Sequence, residues 1–398
     1  MNRIERMIAE MCPDGVAWKP LGEVVQLVTG GTPNKHVPEY WEDGTIPWMS
    51  SGEVNKKHVY STDGFITELG LLKSNAKMVS PRSVVIALAG QGKTRGKVAT
   101  VEIELSTNQS LCTLVPGREI SYRFLYHFLD GQYEKLRSIS SGEGARGGLS
   151  LAILKSFVVP VPPIEIQREI VDILDSFTRL EAELGAELGA RKVQYSFLRN
   201  MLLNFEFSAK NVSVNLLGEE HFDVQEKRLG DIALIKTGRK FEGAFGSGLL
   251  PYVNGGVEPS GWVSCANNPG MVITIPSRGS VGVVGFQWDQ FWLGPLCYAV
   301  TPKEGVDPRF LYHQLKRQQT RLVALQQTGS IPALNKKELV GFVIDVPPLY
   351  VQRRIADVLD DFDALVNDLS SGLPAEIAAR RQQYEYYRDR LLTFPEKK

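Results

Sequence analysis

The chain carries an internal repeat, and the repeat is too long to be a solenoid unit. Pro162-Pro163-Ile164-Glu165-Ile166-Gln167-Arg168, followed by Ile170, Ile173, Leu174, Asp175 and Phe177, returns 185 residues later as Pro347-Pro348-Leu349-Tyr350-Val351-Gln352-Arg353, followed by Ile355, Val358, Leu359, Asp360 and Phe362. Leu21-Gly22-Glu23-Val24 with Thr29-Gly30 recurs as Leu229-Gly230-Asp231-Ile232 with Thr237-Gly238, and Ile46-Pro47-Trp48 recurs as Leu250-Pro251-Tyr252. Arg123-Phe124-Leu125-Tyr126-His127 reappears letter for letter at 309–313. Solenoid and propeller units run to about 20–50 residues, so each copy here is a domain plus a helix. Two like halves predict a pseudo-twofold molecule, which suits a target with two half-sites.

Within each copy the apolar period changes once. Ile4, Met7, Ile8 and Met11 predict a short amphipathic helix in 1–17. Segment 18–158 reads as short strands with frequent Gly and Pro, among them Val24–Val28, Ser83–Leu88 and Val98–Val101, then a short helix from about Tyr122 to Ser138. Segment 226–346 is its counterpart. From Pro163 the spacing of Ile166, Ile170, Ile173, Phe177, Leu180 and Leu184 is 4-3-4-3-4, the a/d spacing of a coiled coil, and Val351, Ile355, Val358, Phe362, Leu365 and Leu369 repeat it. Helical stretches are therefore expected in 159–205 and 347–398, with a linker over 206–225. The expected fold is α+β: two mostly-β globular domains joined by two long helices packed as an antiparallel coiled coil, with an internal pseudo-twofold repeat. Gly185 and Gly189 are the weak points of the first helix. Four extra residues around Ser370–Pro374 are expected to break or bend the second at Gly372 and Pro374.

Charge looks uninformative until it is divided by segment. Lys plus Arg and Asp plus Glu number 45 each, yet 18–158 holds 16 basic against 13 acidic residues and 226–346 holds 13 against 9. The globular segments are mildly basic and the remainder, including both helical stretches, is acidic, so contact with a polyanion is expected from the former. No run approaches the ~18 apolar residues of a membrane span. Met1-Asn2-Arg3-Ile4-Glu5 lacks the layout of a signal peptide, so the cytoplasm is expected. Cys12, Cys112, Cys265 and Cys297 form no CxxC pair, and reduced, buried thiols without a metal are expected.

Two segments imitate catalytic motifs, and two histidines stand as candidate bases or ligands. Ala87-Leu88-Ala89-Gly90-Gln91-Gly92-Lys93-Thr94 matches a relaxed P-loop, but Arg95-Gly96-Lys97-Val98-Ala99 after it reads as turn and strand where a helix is required. Asp345-Val346-Pro347-Pro348-Leu349-Tyr350 resembles the Asp-Pro-Pro-Tyr of adenine methyltransferases, interrupted by Val346 and Leu349. His127 and His313 sit among Phe, Leu and Tyr, where a packing role outweighs a catalytic one. What remains is polar, basic and aromatic loop material at matched positions. In the first copy it is Thr32, Asn34, Lys35, Trp48, Ser50, Ser51, Lys56, Lys57, Gln91, Lys93, Arg95, Lys97 and Arg146. In the second it is Arg239, Lys240, Tyr252, Asn254, Arg278, Ser280, Gln326, Gln327 and Ser330. Arg, Lys, Asn and Gln hydrogen-bond base edges in the major groove, and Lys also serves phosphates. Like scaffolds with unlike loop residues are what two different half-sites require.

The arrangement resembles the specificity subunit of type I restriction-modification systems over nearly the whole chain. Its marks are Leu21-Gly22-Glu23 and Leu229-Gly230-Asp231 opening two target-recognition domains, and the Pro-Pro-x-x-x-Gln-Arg helix starts at 162–168 and 347–353. The Ala-Arg-[Lys/Arg]-x-Gln-Tyr segments at 190–195 and 379–384 add to these, as does Gln383-Tyr384-Glu385-Tyr386-Tyr387-Arg388. The resemblance implies a chain without catalytic activity that reads a bipartite, asymmetric site in double-stranded DNA. It implies two modification subunits supplying adenine N6 methylation and restriction subunits bringing the ATP-dependent translocase and nuclease. S-adenosylmethionine, ATP and Mg are then expected on those partners, with no cofactor on this chain. The competing reading is a self-contained NTPase or DNA methylase using Gly90–Thr94 or Asp345–Tyr350.

Overall fold

The computed structural model describes residues 3–90, 94–140, 148–205, 222–246, 248–327, 332–368 and 370–397. The chain forms two compact units, one of residues 1–183 with 377–398 and one of residues 184–376.

In the first unit α1 (Arg3–Met11) precedes β1 (Ala17–Pro20), β2 (Val25–Thr29), β3 (Ile46–Met49), β4 (His58–Val59), β5 (Gly64–Ile66) and β6 (Met78–Val79). Then come β7 (Ser83–Ala87), β8 (Val98–Val101), β9 (Leu105–Thr107), β10 (Leu111–Pro116), α2 (Tyr122–Gly131), β11 (Val158–Val161) and α3 (Ile164–Leu203). The strands form one sheet ordered β2-β10-β7-β8-β4, a second ordered β5-β3-β9-β6, and the pair β1-β11. The second copy supplies β12 (Gln225–Arg228), β13 (Ala233–Thr237), β14 (Leu250–Val253), β15 (Trp262–Val263), β16 (Val272–Pro276), β17 (Gly285–Gln287), β18 (Trp292–Leu293) and β19 (Cys297–Pro302), then α4 (Pro308–Arg317), β20 (Val343–Val346), α5 (Leu349–Asn367) and α6 (Leu373–Leu391). Its sheets are β13-β19-β16-β17, β15-β14-β18 and β12-β20, the same strand order without counterparts, among the described residues, of the edge strands β4 and β6. β7 and β16 are buried along their whole length, which is why the β-branched runs Ser83-Val84-Val85-Ile86 and Val272-Ile273-Thr274-Ile275 settle at sheet centres.

The repeated Thr-Gly has a steric cause. A Cβ on Gly30 would lie 1.9 Å from the Thr107 carbonyl oxygen, and one on Gly238 would lie 2.1 Å from that of Gly294. At both positions the chain leaves its first sheet against backbone at the end of a strand of the second, an approach only glycine permits.

The helices follow the repeat with one asymmetry. α3 is continuous for 40 residues, so Gly185 and Gly189 do not interrupt it; both face open space. Each costs about 1 kcal/mol relative to alanine, too little to break a helix otherwise built from Glu, Ala, Leu, Arg and Lys. The second copy does break: α5 ends at Asn367 and α6 starts at Leu373. The Asp368 carboxylate accepts from the Ser370 amide and from both serine hydroxyls, while a Cβ on Gly372 would sit 2.5 Å from the Ala364 carbonyl oxygen.

The first half of α3 lies in the first unit and its second half in the second, where it joins α5; most of α6 lies in the first. Each globular domain is therefore served by helical segments from both copies. Ile166, Ile170, Val351 and Ile355 of the heptad seam are buried, Ile173, Phe177, Val358 and Phe362 are half-buried, and Leu180 and Leu365 are exposed. Leu369 falls outside the described residues. Off the seam, Val171, Leu174, Ala356 and Leu359 are buried because the helices also pack on the globular domains. In the first unit the Glu181–Arg381 ion pair and the stacked Phe177–Tyr387 rings run in opposite chain order, so these segments are antiparallel. In the second, Tyr195, Leu202 and Leu203 of α3 share a cluster with Val351, Ile355, Leu359 and Val366 of α5.

Cys112 and Cys297 are buried at equivalent places, and burial pushes both thiols up to about 12. Cys265 is exposed and Cys12 half-buried, so the expectation of buried thiols holds only for the repeat-related pair. Among the described residues no helix is long and apolar enough to cross a membrane.

Candidate nucleic-acid interface

The repeated glutamine joins each helix to its domain. The Gln167 side-chain oxygen accepts from the Ser121 amide at 2.8 Å, and its Nε2 donates to the carbonyls of Glu119 and Pro162, both at 2.8 Å. Gln352 repeats this with the Asp307 amide and the Gly305 and Pro347 carbonyls. Asp345–Tyr350, the methylase-like segment, is thus the end of β20 and the start of α5, with Pro348 as helix cap.

Arg123-Phe-Leu-Tyr-His127 and its copy are structural. His127 is fully buried, with Nε2 at 2.8 Å from Asp175 and Nδ1 at 2.9 Å from the Tyr384 hydroxyl. His313, equally buried, lies 2.6 Å from Asp360 and 3.3 Å from the Tyr195 hydroxyl. Arg123 pairs with Asp175 and Glu102, and Arg309 with Asp360 and Asp363. The tyrosine in each case comes from the helix of the other copy, which explains the two Ala-Arg-x-x-Gln-Tyr segments. Burial and then the Arg309 charge hold His313 below its ordinary value, against the pull of Asp360. Burial alone would raise Asp175 and Asp360, but hydrogen bonds from their histidines and arginines hold both below the usual carboxylate range.

The loop residues divide into those that present polar groups and those that hold the loops. Asn34 and Lys35 are exposed, with Asn34 accepting from the His36 amide at 3.0 Å. Thr32 is half-buried and donates to Gln109. Trp48 is buried: its indole N–H donates to the Gly31 carbonyl at 3.0 Å and its ring meets Trp41 edge-on. Ser50 closes a capping box with Glu53 beside half-buried Ser51. Lys56 is tied to Asp63, Glu53 and the Ser61 carbonyl, and the two carboxylates, Asp63 foremost, raise its pKa. Lys57, exposed at φ 61°, faces Glu181 at 4.0 Å, and Lys97 donates to Asn55 at 2.8 Å. Arg95 is half-buried, and its Nε and one Nη have no partner among the described residues.

In the second unit Arg239 and Lys240 are exposed, and the Arg239 guanidinium lies 5.2 Å over the Trp292 ring, whose N–H donates to the Arg239 carbonyl. Tyr252 is buried within an aromatic cluster and its hydroxyl is pushed up by burial. Asn254 accepts from the Leu296 amide at 2.9 Å, Arg278 is exposed, and the Ser280 amide donates to the Gly255 carbonyl. Gln326 is half-buried, and exposed Gln327 bonds Ala333 through its amide. Trp48 and Tyr252 therefore shape their loops from beneath. Gln91, Lys93, Arg146 and Ser330 lie outside the described residues. After the P-loop-like segment the chain turns into β8 and forms no helix there.

The family model for the type I restriction modification DNA specificity domain matches residues 13–190 and 222–379, one copy of the repeat each. The chain belongs to this family. Type I specificity chains are the non-catalytic components that give a restriction-modification complex its DNA specificity. The chain is 27% identical over 439 residues to the Escherichia coli type I restriction enzyme EcoR124I/EcoR124II specificity subunit, covering 99% of this chain and 98% of that one. It is 27% identical over 397 residues to a putative type I restriction enzyme specificity subunit of Haemophilus influenzae, covering 95% and 96%. The type I S subunit of M. genitalium has the same fold, with a TM-score of 0.64 at 18% identity over 95% of this chain and 96% of that one.

Proposed function

We propose that each unit reads one half of a split, asymmetric DNA site, and that the chain docks two modification subunits, which methylate adenine N6, together with restriction subunits. The reading rests on one observation: the two units share their sheet plan while the exposed loop residues differ between Asn34-Lys35 and Arg239-Lys240. Base edges are read by such side chains and phosphates by the lysines. The helices serve protein contact. S-adenosylmethionine, ATP and Mg reside on the partner subunits, and the complex works in the cytoplasm.

Replacing residues 18–158 with the corresponding domain of a relative tests this division. Methylation should change in one half of the target and persist in the other; a change in both halves refutes independent reading. Calorimetry of the chain alone with S-adenosylmethionine or ATP should give no binding heat. Binding abolished by Asp345→Ala or Lys93→Ala would reinstate the enzyme reading.

A further inference from the structure

Pro47 and Pro251, equivalent in the repeat, each sit opposite an exposed aromatic on the neighbouring strand. Pro47 of β3 pairs with Phe65 of β5, and Pro251 of β14 pairs with Trp262 of β15. Phe65 is 44% exposed and Trp262 51%, whereas the next residues, Ile66 and Val263, are fully buried. Strand alternation thus turns each aromatic away from the core of its own unit. Single exposed apolar residues are ordinary on protein surfaces. Two at the same register of two like sheets are a property of the scaffold.

Their surroundings tie them to the loops described above. Lys56 bonds Asp63 at 2.8 Å, immediately before the strand that carries Phe65. The Trp262 carbonyl accepts from the Gly246 amide at 2.9 Å, and Phe245 of that loop meets Phe241, which meets Trp292 beneath Arg239. Leu249, 91% exposed, precedes β14 on the same alternation as Pro251.

We infer that Phe65 and Trp262 are specificity-determining contacts, one per half-site, made by the aromatic face against apolar base surface of the target duplex. The inference rests on the reading proposed above. DNA offers such surface as the thymine methyl in the major groove or as the face of a base at an opened step. The differing letters favour DNA over a docked protein. Two copies of one partner select the same residue twice; two unlike half-sites do not.

The test uses the full chain with its modification subunit. Phe65→Ala and Trp262→Ala should each weaken target-duplex binding about five- to a hundred-fold, leave binding to an unrelated duplex unchanged, and degrade only one half of the methylated motif, a different half for each. Phe65→Tyr and Trp262→Phe, which keep a ring, should restore binding and so separate contact from misfolding. Deoxyuridine scanning of the target identifies a thymine-methyl contact by a loss in the wild type that is absent in the alanine variant. A 2-aminopurine signal lost in the variant identifies an opened step. Unchanged affinity and motif in both alanine variants overturn the inference. So does reduced capture of the modification subunit without DNA, which assigns the surface to protein. A wild-type complex that yields no split motif overturns the underlying reading instead.

Discussion

Gln167 and Gln352 carry more of the architecture than any residue whose chemistry stands out in the sequence. Each is buried, and each spans three backbone groups that hold a helix start against a domain turn. Gln167→Ala strands an amide and two carbonyls, and a loss of ~2–3 kcal/mol from the first unit is expected in denaturant titration; a change under ~0.5 kcal/mol would mean that water replaces the side chain. The histidines set an acid limit. A histidine held below its unfolded value adds stability that is complete above about pH 6.5 and is lost as pH falls through its folded value, and the depressed aspartates add a second loss below about pH 4. His58, lowered by burial and by Arg123, acts in the first unit and His313 in the second. Melting temperatures should therefore fall from pH 7 to pH 5, with a shallower fall in His313→Asn; a flat profile would contradict the neutral, buried assignment. The packing role of His127 and His313 was legible from their Phe, Leu and Tyr neighbours. The burial of Trp48 and Tyr252 was not, because it depends on which side of a short strand meets the second sheet.

At the scale of elements, periodicity located α3 and α5, and the four extra residues located the break between α5 and α6. Sequence did not reveal that Val171, Leu174, Ala356 and Leu359 would be buried, since a heptad describes one contact face while these helices use two. Nor did it show that Tyr384 serves His127 and Tyr195 serves His313, because partner choice between like helices is tertiary. The Asp368–Ser371 cap makes the α5–α6 break a defined structure, and its hydrogen bonds from Ser370 and Ser371 hold the Asp368 carboxyl down at about 2. Deleting residues 370–373 should leave both halves of the methylated motif intact and change the gap between them. An unchanged gap would show that this segment does not set spacing.

For the whole molecule, the repeat was the most legible feature and also the most consequential. It foretold two like domains, and the two units bear this out in strand order, the second lacking counterparts of β4 and β6 among the described residues, yet each unit borrows helix from the other copy. The net charge of zero concealed mildly basic domains and an acidic remainder, which is the division expected of a chain that meets DNA with one part and protein with another. The bases recognised stay beyond sequence reading, because loop conformation and DNA shape both enter. The most direct measurement is methylation-aware sequencing of DNA from cells carrying this chain with its modification subunit, compared with cells lacking only this chain. A split, asymmetric N6-methyladenine motif that vanishes with the chain is the expected result. An identical motif in both, with the complex expressed, would contradict a DNA-specificity role.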